Sequence, residues 1–362
     1  MAAGWPAKVN YATGDVLSAS NMNDIGGTLN LINPYTAGKN IVINGAMNVW
    51  QRGTSISLAA STSSANGFTS DRWQTSTGAN QATTISRQAT GDTTNLPFIQ
   101  YCTRFQRNSG QTGTTEYAFL QNIDTPTSIP FAGRTVTLSF YARAGANYSA
   151  TSSILQAILK SGTGTDQNLF SGFTGSTVVI NQSATLTTTW QRFSYSATVA
   201  ATATQLGVQY AFTPVGTAGT NDYFEITGVQ LEIGATATAF QTASGTIQGE
   251  IALCQRYYVS YASSDSSFPA GFASTTTQAY RYGIALSVPM RGTPSVSNTG
   301  TLVLYDGVTT VNVTSVGGVR TLTSSGNVNG VSIDLTVAAG LVVYRPYILL
   351  IQSSSLILSA EL

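Results

Sequence analysis

From Ile41 onward the chain alternates apolar and polar positions with a period of two. Val136, Leu138, Phe140 and Ala142 interleave with Thr135, Thr137, Ser139 and Tyr141, the pattern of a strand with one buried face. Leu206, Val208, Tyr210 and Phe212 repeat it, as do Phe193, Tyr195, Ala197 and Val199. Further strand candidates are Ile99–Gln106, Glu116–Asp124, Ser153–Lys160 and Val178–Ile180, separated by turn-rich spacers such as SGTGTDQN and TPVGTAGTND. The run IVINGAMNVW (Ile41–Trp50) reads as the opening strand and NDYFEITGVQLEIGATATAF (Asn221–Phe240) as its closing partner. Eight to eleven short strands with hardly a helical repeat predict an all-β fold over 41–243, an antiparallel β-sandwich of jelly-roll type.

The period changes in two places. In residues 1–40, Ser18 can cap a helix on which Met22, Ile25, Leu29 and Ile32 recur at heptad spacing. With Gly26 and Gly27 inside it, so short a helix is unstable alone in water. It is expected to bundle with copies of itself or dock on a larger assembly, as an attachment and oligomerisation segment followed by a linker at Asn33-Pro34 and Ala37-Gly38. The plainer alternative is a helix packed on its own sandwich. In SGTIQGEIALCQRYY, Ile247, Ile251, Cys254 and Tyr258 form one helical stripe, with Ser244 or Thr246 as cap. This predicts a helical hinge over 244–256. Alternation then resumes and predicts a second, smaller β-domain over 257–362. There Tyr280 to Val288 form a strand stopped by Pro289. Asp306-Gly307 and Asn329-Gly330 mark hairpins, Leu341–Ile351 reads as a strand pair or bent strand, and SLILSAEL reads as the last strand.

Composition narrows the chemistry. Charged residues make up only 9% of the 362 and the net charge is +1, so no basic stripe exists to displace counterions from phosphates, and nucleic acid is excluded as a partner. A surface built instead from Ser, Thr, Asn, Gln and Gly suits extracellular fibres and shells, and neutral donors and acceptors also match sugar hydroxyls. Leu341–Ile351 is too short to span a bilayer and carries Arg345 and Pro346, and MAAGWPAKVNYATGD lacks the apolar centre of a signal peptide. No membrane insertion is expected, and synthesis in a reducing cytoplasm is. Histidine is absent, which removes Ser-His-Asp and Cys-His catalysis and His-ligated zinc. Cys102 and Cys254 read as buried free thiols. Carboxylate chemistry would have to draw on Asp71, Glu116, Asp124, Asp166, Glu225 and Glu232, but no spacing pairs them as glycoside hydrolysis requires. The expectation is no enzyme, no cofactor and no metal.

The blocks INGAMNVWQRGTS (Ile43–Ser55), DRW (Asp71–Trp73), GVQLEIGATATAF, EIALCQRYY and VPMRGTPSV (Val288–Val296) resemble, in that order, bacteriophage tail-fibre and minor virion structural proteins. TGDVLSASNMNDIG (Thr13–Gly26) is similar to segments that join a fibre to the virion. The resemblance implies a carbohydrate-binding-module-like jelly roll in a virion protein. The fibre, of tail or head, would be a homotrimer that contacts host-surface glycan and joins other virion proteins through residues 1–40. A purely architectural decoration or connector, and a polysaccharide depolymerase, are the alternatives. In related sugar modules a Phe-Glu follows the Asn-Gly of the first strand and helps hold calcium. Here Ala46-Met47-Asn48 follows Asn44-Gly45, and that carboxylate is missing. Trp50, Trp73 and Trp190 are the candidates for stacking on sugar, with a core role as the bland reading for each. Arg52, Arg72, Arg192 and Arg256, each after Gln or Asp, are expected to tie strand ends or subunits to carboxylates such as Glu232 and Glu250.

Overall fold

A computed structural model describes residues 38–362, except 61–64, 79–80, 97, 263–267 and 325–326. Met22, Ile25, Leu29 and Ile32 lie outside the described residues. Two six-stranded antiparallel sheets face each other. The first runs, across the sheet, β1 (Ser55–Leu58), β4 (Thr83–Ala89), β5 (Tyr101–Arg107), β12 (Tyr223–Ile233), β7 (Thr135–Ala144) and β10 (Gln191–Thr198). The second runs β2 (Ala65–Phe68), β3 (Gln74–Thr77), β6 (Tyr117–Ile123), β11 (Gln205–Phe212), β8 (Ile154–Gly162) and β9 (Thr177–Thr185). The sandwich expected from alternation is present. Val136, Leu138, Phe140 and Ala142 all point inward and are buried. Rings fill the space between the sheets: Phe105 stacks on Phe224 at 5.4 Å, Tyr117 on Phe212 at 5.1 Å and Trp73 on Phe119 at 4.6 Å. β11 departs from simple alternation, because both its faces are buried. On its outer side Leu169 and Phe173 press against Gly207, where a Cβ would come within 3.0 Å of Leu169 Cδ2.

Ile41–Trp50 is not a strand. Asn44 and Met47 take positive φ of 56° each, and the segment turns on itself through Met47 N–H donating to Asn44 O at 3.0 Å. Its backbone groups are satisfied mainly by side chains rather than by a ladder. Ile43 N donates to Gln121 Oε1 at 2.8 Å and Ile43 O accepts from Gln121 Nε2 at 2.7 Å. Asn44 N donates to Glu250 Oε2 at 2.8 Å. Gly45 explains the turn, because a Cβ there would lie 2.2 Å from Val229 O. Apolar character held across a turn, not period two, is what Val42, Met47 and Trp50 contribute to the core.

After the sandwich comes α2 (Ile247–Gln255), α1 being the single turn Thr125–Ser128. Thr246 is the cap and accepts from Gly249 N at 3.1 Å. Of the predicted stripe only Cys254 and Tyr258 are buried, while Ile247 and Ile251 are 47% and 39% exposed. The helix is held instead by Glu250, whose carboxylate also accepts from Ser244 N at 2.8 Å.

The remaining strands form a closed barrel and a small sheet. The barrel order is β14 (Phe268–Ala273), β15 (Gln278–Met290), β19 (Asn327–Val337), β18 (Thr310–Ser324), β17 (Leu302–Tyr305) and β20 (Pro346–Ile351). The sheet is β13 (Tyr258–Ala262), β21 (Ser355–Ser359) and β16 (Ser295–Thr299). The hairpin at Asp306-Gly307 is present, with Tyr305 opposite Thr310. Asn329-Gly330 is not a turn but lies inside β19, where pairing on both sides outweighs local preference. Nor does Pro289 stop β15: it falls where the ladder to β19 skips from Ala285 to Met290, so no N–H is missed there.

Candidate functional site

All three tryptophans proposed for sugar stacking are buried, so their ring faces are not available. Trp50 donates Nε1–H to Met47 O at 2.8 Å, Trp73 to Asn44 O at 3.2 Å and Trp190 to Thr90 O at 3.1 Å. Trp190 is out of phase with Phe193 and Tyr195, as its sequence position indicates, but the outer face it reaches is covered. The β4–β5 connection folds back over that face and packs Leu96 and Ile99 against Trp190 and Cys102, and the Arg143 guanidinium sits 4.7 Å from the Trp190 ring centre. Both cysteines are buried free thiols, and burial pushes each thiol well above its ordinary range.

The covering connection makes an open cleft beside itself. Asp92 fixes its turn by accepting from Thr94 N at 2.9 Å and Asn95 N at 2.7 Å, and Asn95 Nδ2 with the Asn95 N–H holds its carboxyl below the usual range. Thr90 Oγ1 donates to Ile99 O at 2.8 Å and closes the loop. Leu96 and Ile99 are spent on packing, which leaves Phe98 standing out at 94% exposure. The floor is the outer face of the first sheet, where Tyr141 of β7 lies directly across from Arg192 of β10. A bulge in β12 at Gly228, with φ of 60°, makes room for that floor: a Cβ there would come within 2.8 Å of the Tyr141 ring and 2.9 Å of Ile99 Cδ1. The far wall is Ala239 and Phe240, set by Thr238, whose N–H and hydroxyl donate to Glu232 at 2.8 and 2.7 Å. The cleft has a volume of about 340 Å³ and is lined by Asn95, Phe98, Tyr141, Arg192 and Phe240 among others. Its lining holds no carboxylate or thiol. It can stack a ring and bond its hydroxyls.

Sequence reasoning missed Phe98 and placed Phe240 only as the end of a strand. An aromatic beside a proline in the turn-rich run GDTTNLPF, outside any alternating stretch, was the signal available.

The carboxylates named for hydrolysis are mostly engaged elsewhere. Glu225 is held between Arg104 at 2.6 Å and Arg143 at 2.5 Å, Asp71 meets Arg52 at 3.6 Å, Asp124 meets Arg256 at 3.6 Å and Asp166 pairs with Arg291. Asp222, outside that set, is held by Arg107 at 3.2 Å. Arg107 is fully buried and also donates to the carbonyls of Gln111, Gly113 and Gly216 at 2.7, 2.8 and 2.9 Å. A guanidinium thus occupies the oxygen-rich pocket beside Asp222. Among the described residues no three His, Cys, Asp or Glu converge as metal ligands. No described helix is long and apolar enough to cross a membrane.

Of the four arginines expected to meet carboxylates, Arg52, Arg72 and Arg256 do so with partners other than those expected, and among the described residues Arg192 meets none. Arg52 and Arg72 both pair with Glu361, the first at 3.0 Å, while stacking at 3.5 Å on Tyr258 and Tyr257 respectively. Arg256 reaches Asp124 at 3.6 Å, and Glu250 serves backbone N–H groups instead.

No protein-family model matches the chain, and no match was found among curated proteins. Among solved structures, the chain is similar over 54% of its length to the enzymatically active domain of tailspike protein 4 of bacteriophage CBA120, at 14% identity and a TM-score of 0.33. That match spans 22% of the tailspike chain. A CBM4 structure is similar over 53% of this chain and 98% of its own, at 16% identity and a TM-score of 0.28. The CBM22-1 xylan-binding domain of a Paenibacillus barcinonensis protein is similar over 56% and 99%, at 13% identity and a TM-score of 0.33. These are likenesses over about half of this chain.

Proposed function

We propose that this chain is a non-enzymatic bacteriophage virion protein, a homotrimeric tail or head fibre that contacts host-surface glycan through the Phe98–Tyr141–Phe240 cleft. One observation carries the glycan part: a 94% exposed phenylalanine beside a cleft of about 340 Å³, walled by two more aromatic rings and by amide and hydroxyl groups. Leaving an aromatic ring of that size in water costs apolar burial, and a pyranose face laid on it recovers the loss. The ordered sequence blocks and the charge-poor surface support the virion part. Three shallow sites on one fibre would raise avidity without any new contact. The test is a glycan array with the whole protein and with Phe98→Ala. Reproducible hits that fall at least tenfold on substitution support the cleft, whereas hits that persist unchanged place binding elsewhere.

A purely architectural connector is favoured by a different surface. At one end of the barrel Val308, Tyr344 and Val342 are 85%, 82% and 48% exposed, beside the Arg345–Asp306 pair at 2.6 Å. An array with no hits, for protein shown to be folded, would move the assignment to that reading.

A further inference from the structure

We infer that the cleft takes a carboxylate-bearing sugar rather than a neutral one, an inference that rests on the glycan reading just given. The evidence is the state of Arg192. Most described arginines are paired: Arg104, Arg107, Arg143, Arg256, Arg291 and Arg345 each lie within 4.0 Å of a carboxylate. Arg87 and Arg134, like Arg192, have none that near among the described residues, and of these three only Arg192 lines the cleft. Among the described residues no carboxylate comes that near Arg192. Its Nη2 donates to Thr238 O, and to Ser139 Oγ at 3.4 Å, which fixes the guanidinium at the cleft wall. No described residue accepts from its Nε or Nη1. The Tyr141 ring centre lies 5.6 Å beneath it.

The acidic groups nearby cannot serve it. Glu232 is saturated by Thr238 N–H and hydroxyl, by Gln230 Nε2 at 2.6 Å, and by Lys39 at 3.8 Å. Asp92 is closed on its own turn by Thr94 and Asn95. The charge of Arg192 is felt in the surroundings: after burial, which is the larger cause and opposes Glu232, it helps to lower the Lys39 ammonium. The cleft therefore offers one uncompensated guanidinium, with a planar fork of donors, beside three aromatic faces. A planar carboxylate carrying a single charge fits that fork. A doubly charged phosphate would find only one cation lining the cleft. Hexuronates and sialic acids share the required chemistry, a pyranose ring bearing one carboxylate.

The experiment compares the whole protein on arrayed hexuronate- and sialate-bearing glycans, on the same glycans after methyl esterification, and on neutral glycans. Wild type is expected to bind the carboxylated set, and esterification or Arg192→Gln to weaken binding roughly tenfold to a hundredfold. Arg192→Lys, which keeps the charge and loses the fork, is expected to fall between them, and it replaces Arg192→Gln if that variant melts early. Phe98→Ala should weaken every bound glycan alike. Binding that is equal for carboxylated glycans and their methyl esters, or unchanged in Arg192→Gln, overturns the carboxylate inference and leaves the cleft reading standing. A folded wild type that retains no glycan of any class overturns both.

Discussion

Arg107 illustrates how a chain with 9% charged residues uses its few charges. Buried ionic groups are tolerable when most of their donors and acceptors are paired. This guanidinium meets one carboxylate and three carbonyls through its two terminal nitrogens, with only Nε lacking a partner among the described residues. Tyr210 is the opposite case. It is fully buried between Trp73 and Phe140, its hydroxyl has no partner among the described residues, and burial raises its ionisation well above the ordinary range. Tyr210→Phe removes a desolvated hydroxyl and keeps the ring, so stability should be unchanged or raised by up to about 1 kcal/mol. A loss above that in chemical denaturation would reveal a partner for the hydroxyl. Asp306 gives a pH dependence. The Thr309 N–H, then the Arg345 guanidinium and the Val308 N–H, hold its carboxyl well below the usual range. The folded state thus binds this proton less readily than the unfolded one. Its stabilisation is present above about pH 4 and fades as pH falls from there towards the lower folded value. The Tm gap between wild type and Asp306→Asn should be widest at neutral pH and shrink in acid. A gap independent of pH would contradict this origin.

Strands and their connections follow pattern where pairing and local preference agree. β7 and β10 occupy the residues that alternation marks, and their pairing runs without a break from Gln191 opposite Ala142 to Thr198 opposite Thr135. Where side chains from distant elements supply the hydrogen bonds, local reading fails. Ile41–Trp50 is apolar enough for a strand, but Gln121 and Glu250 take its backbone groups and Gly45 passes against Val229. The same kind of long-range tie joins the sandwich to the last residues. Glu361 is shared by Arg52 and Arg72, and Asn168 Nδ2 donates to Leu362 O at 2.7 Å, while Gln51 Nε2 donates to Tyr258 O of β13 at 2.9 Å. Glu361→Ala leaves the Arg72 guanidinium, on a residue 2% exposed, without its carboxylate. A loss of about 3–5 kcal/mol is expected, the scale for breaking a buried pair. A loss below about 1 kcal/mol, as for an exposed pair, would show that this contact does not hold the two halves together.

For the whole molecule, the open question of assembly belongs to residues 1–40 and to the faces of the β-units. Light scattering on the full chain and on a chain beginning at Lys39 separates them. The fibre reading expects a trimer of the full chain. If the trimer survives truncation, its contacts lie in the sandwich and barrel. If truncation gives monomer, Met22, Ile25, Leu29 and Ile32 are the seam. A monomer in both cases removes the fibre reading. The sequence by itself determined the all-β class, the sandwich with a further β-region after it, and the helix between them, because period-two alternation and helix caps are local properties. It also excluded histidine chemistry outright. Only the tertiary structure decided which aromatics are free. Trp190 and Phe98 cannot be told apart by pattern, since one is covered and the other raised by the same β4–β5 connection. It likewise decided that Glu361, and not Glu232 or Glu250, meets Arg52 and Arg72. Such choices depend on contacts between residues 289 or more positions apart in the chain, and no local pattern records which of several carboxylates the fold will bring there.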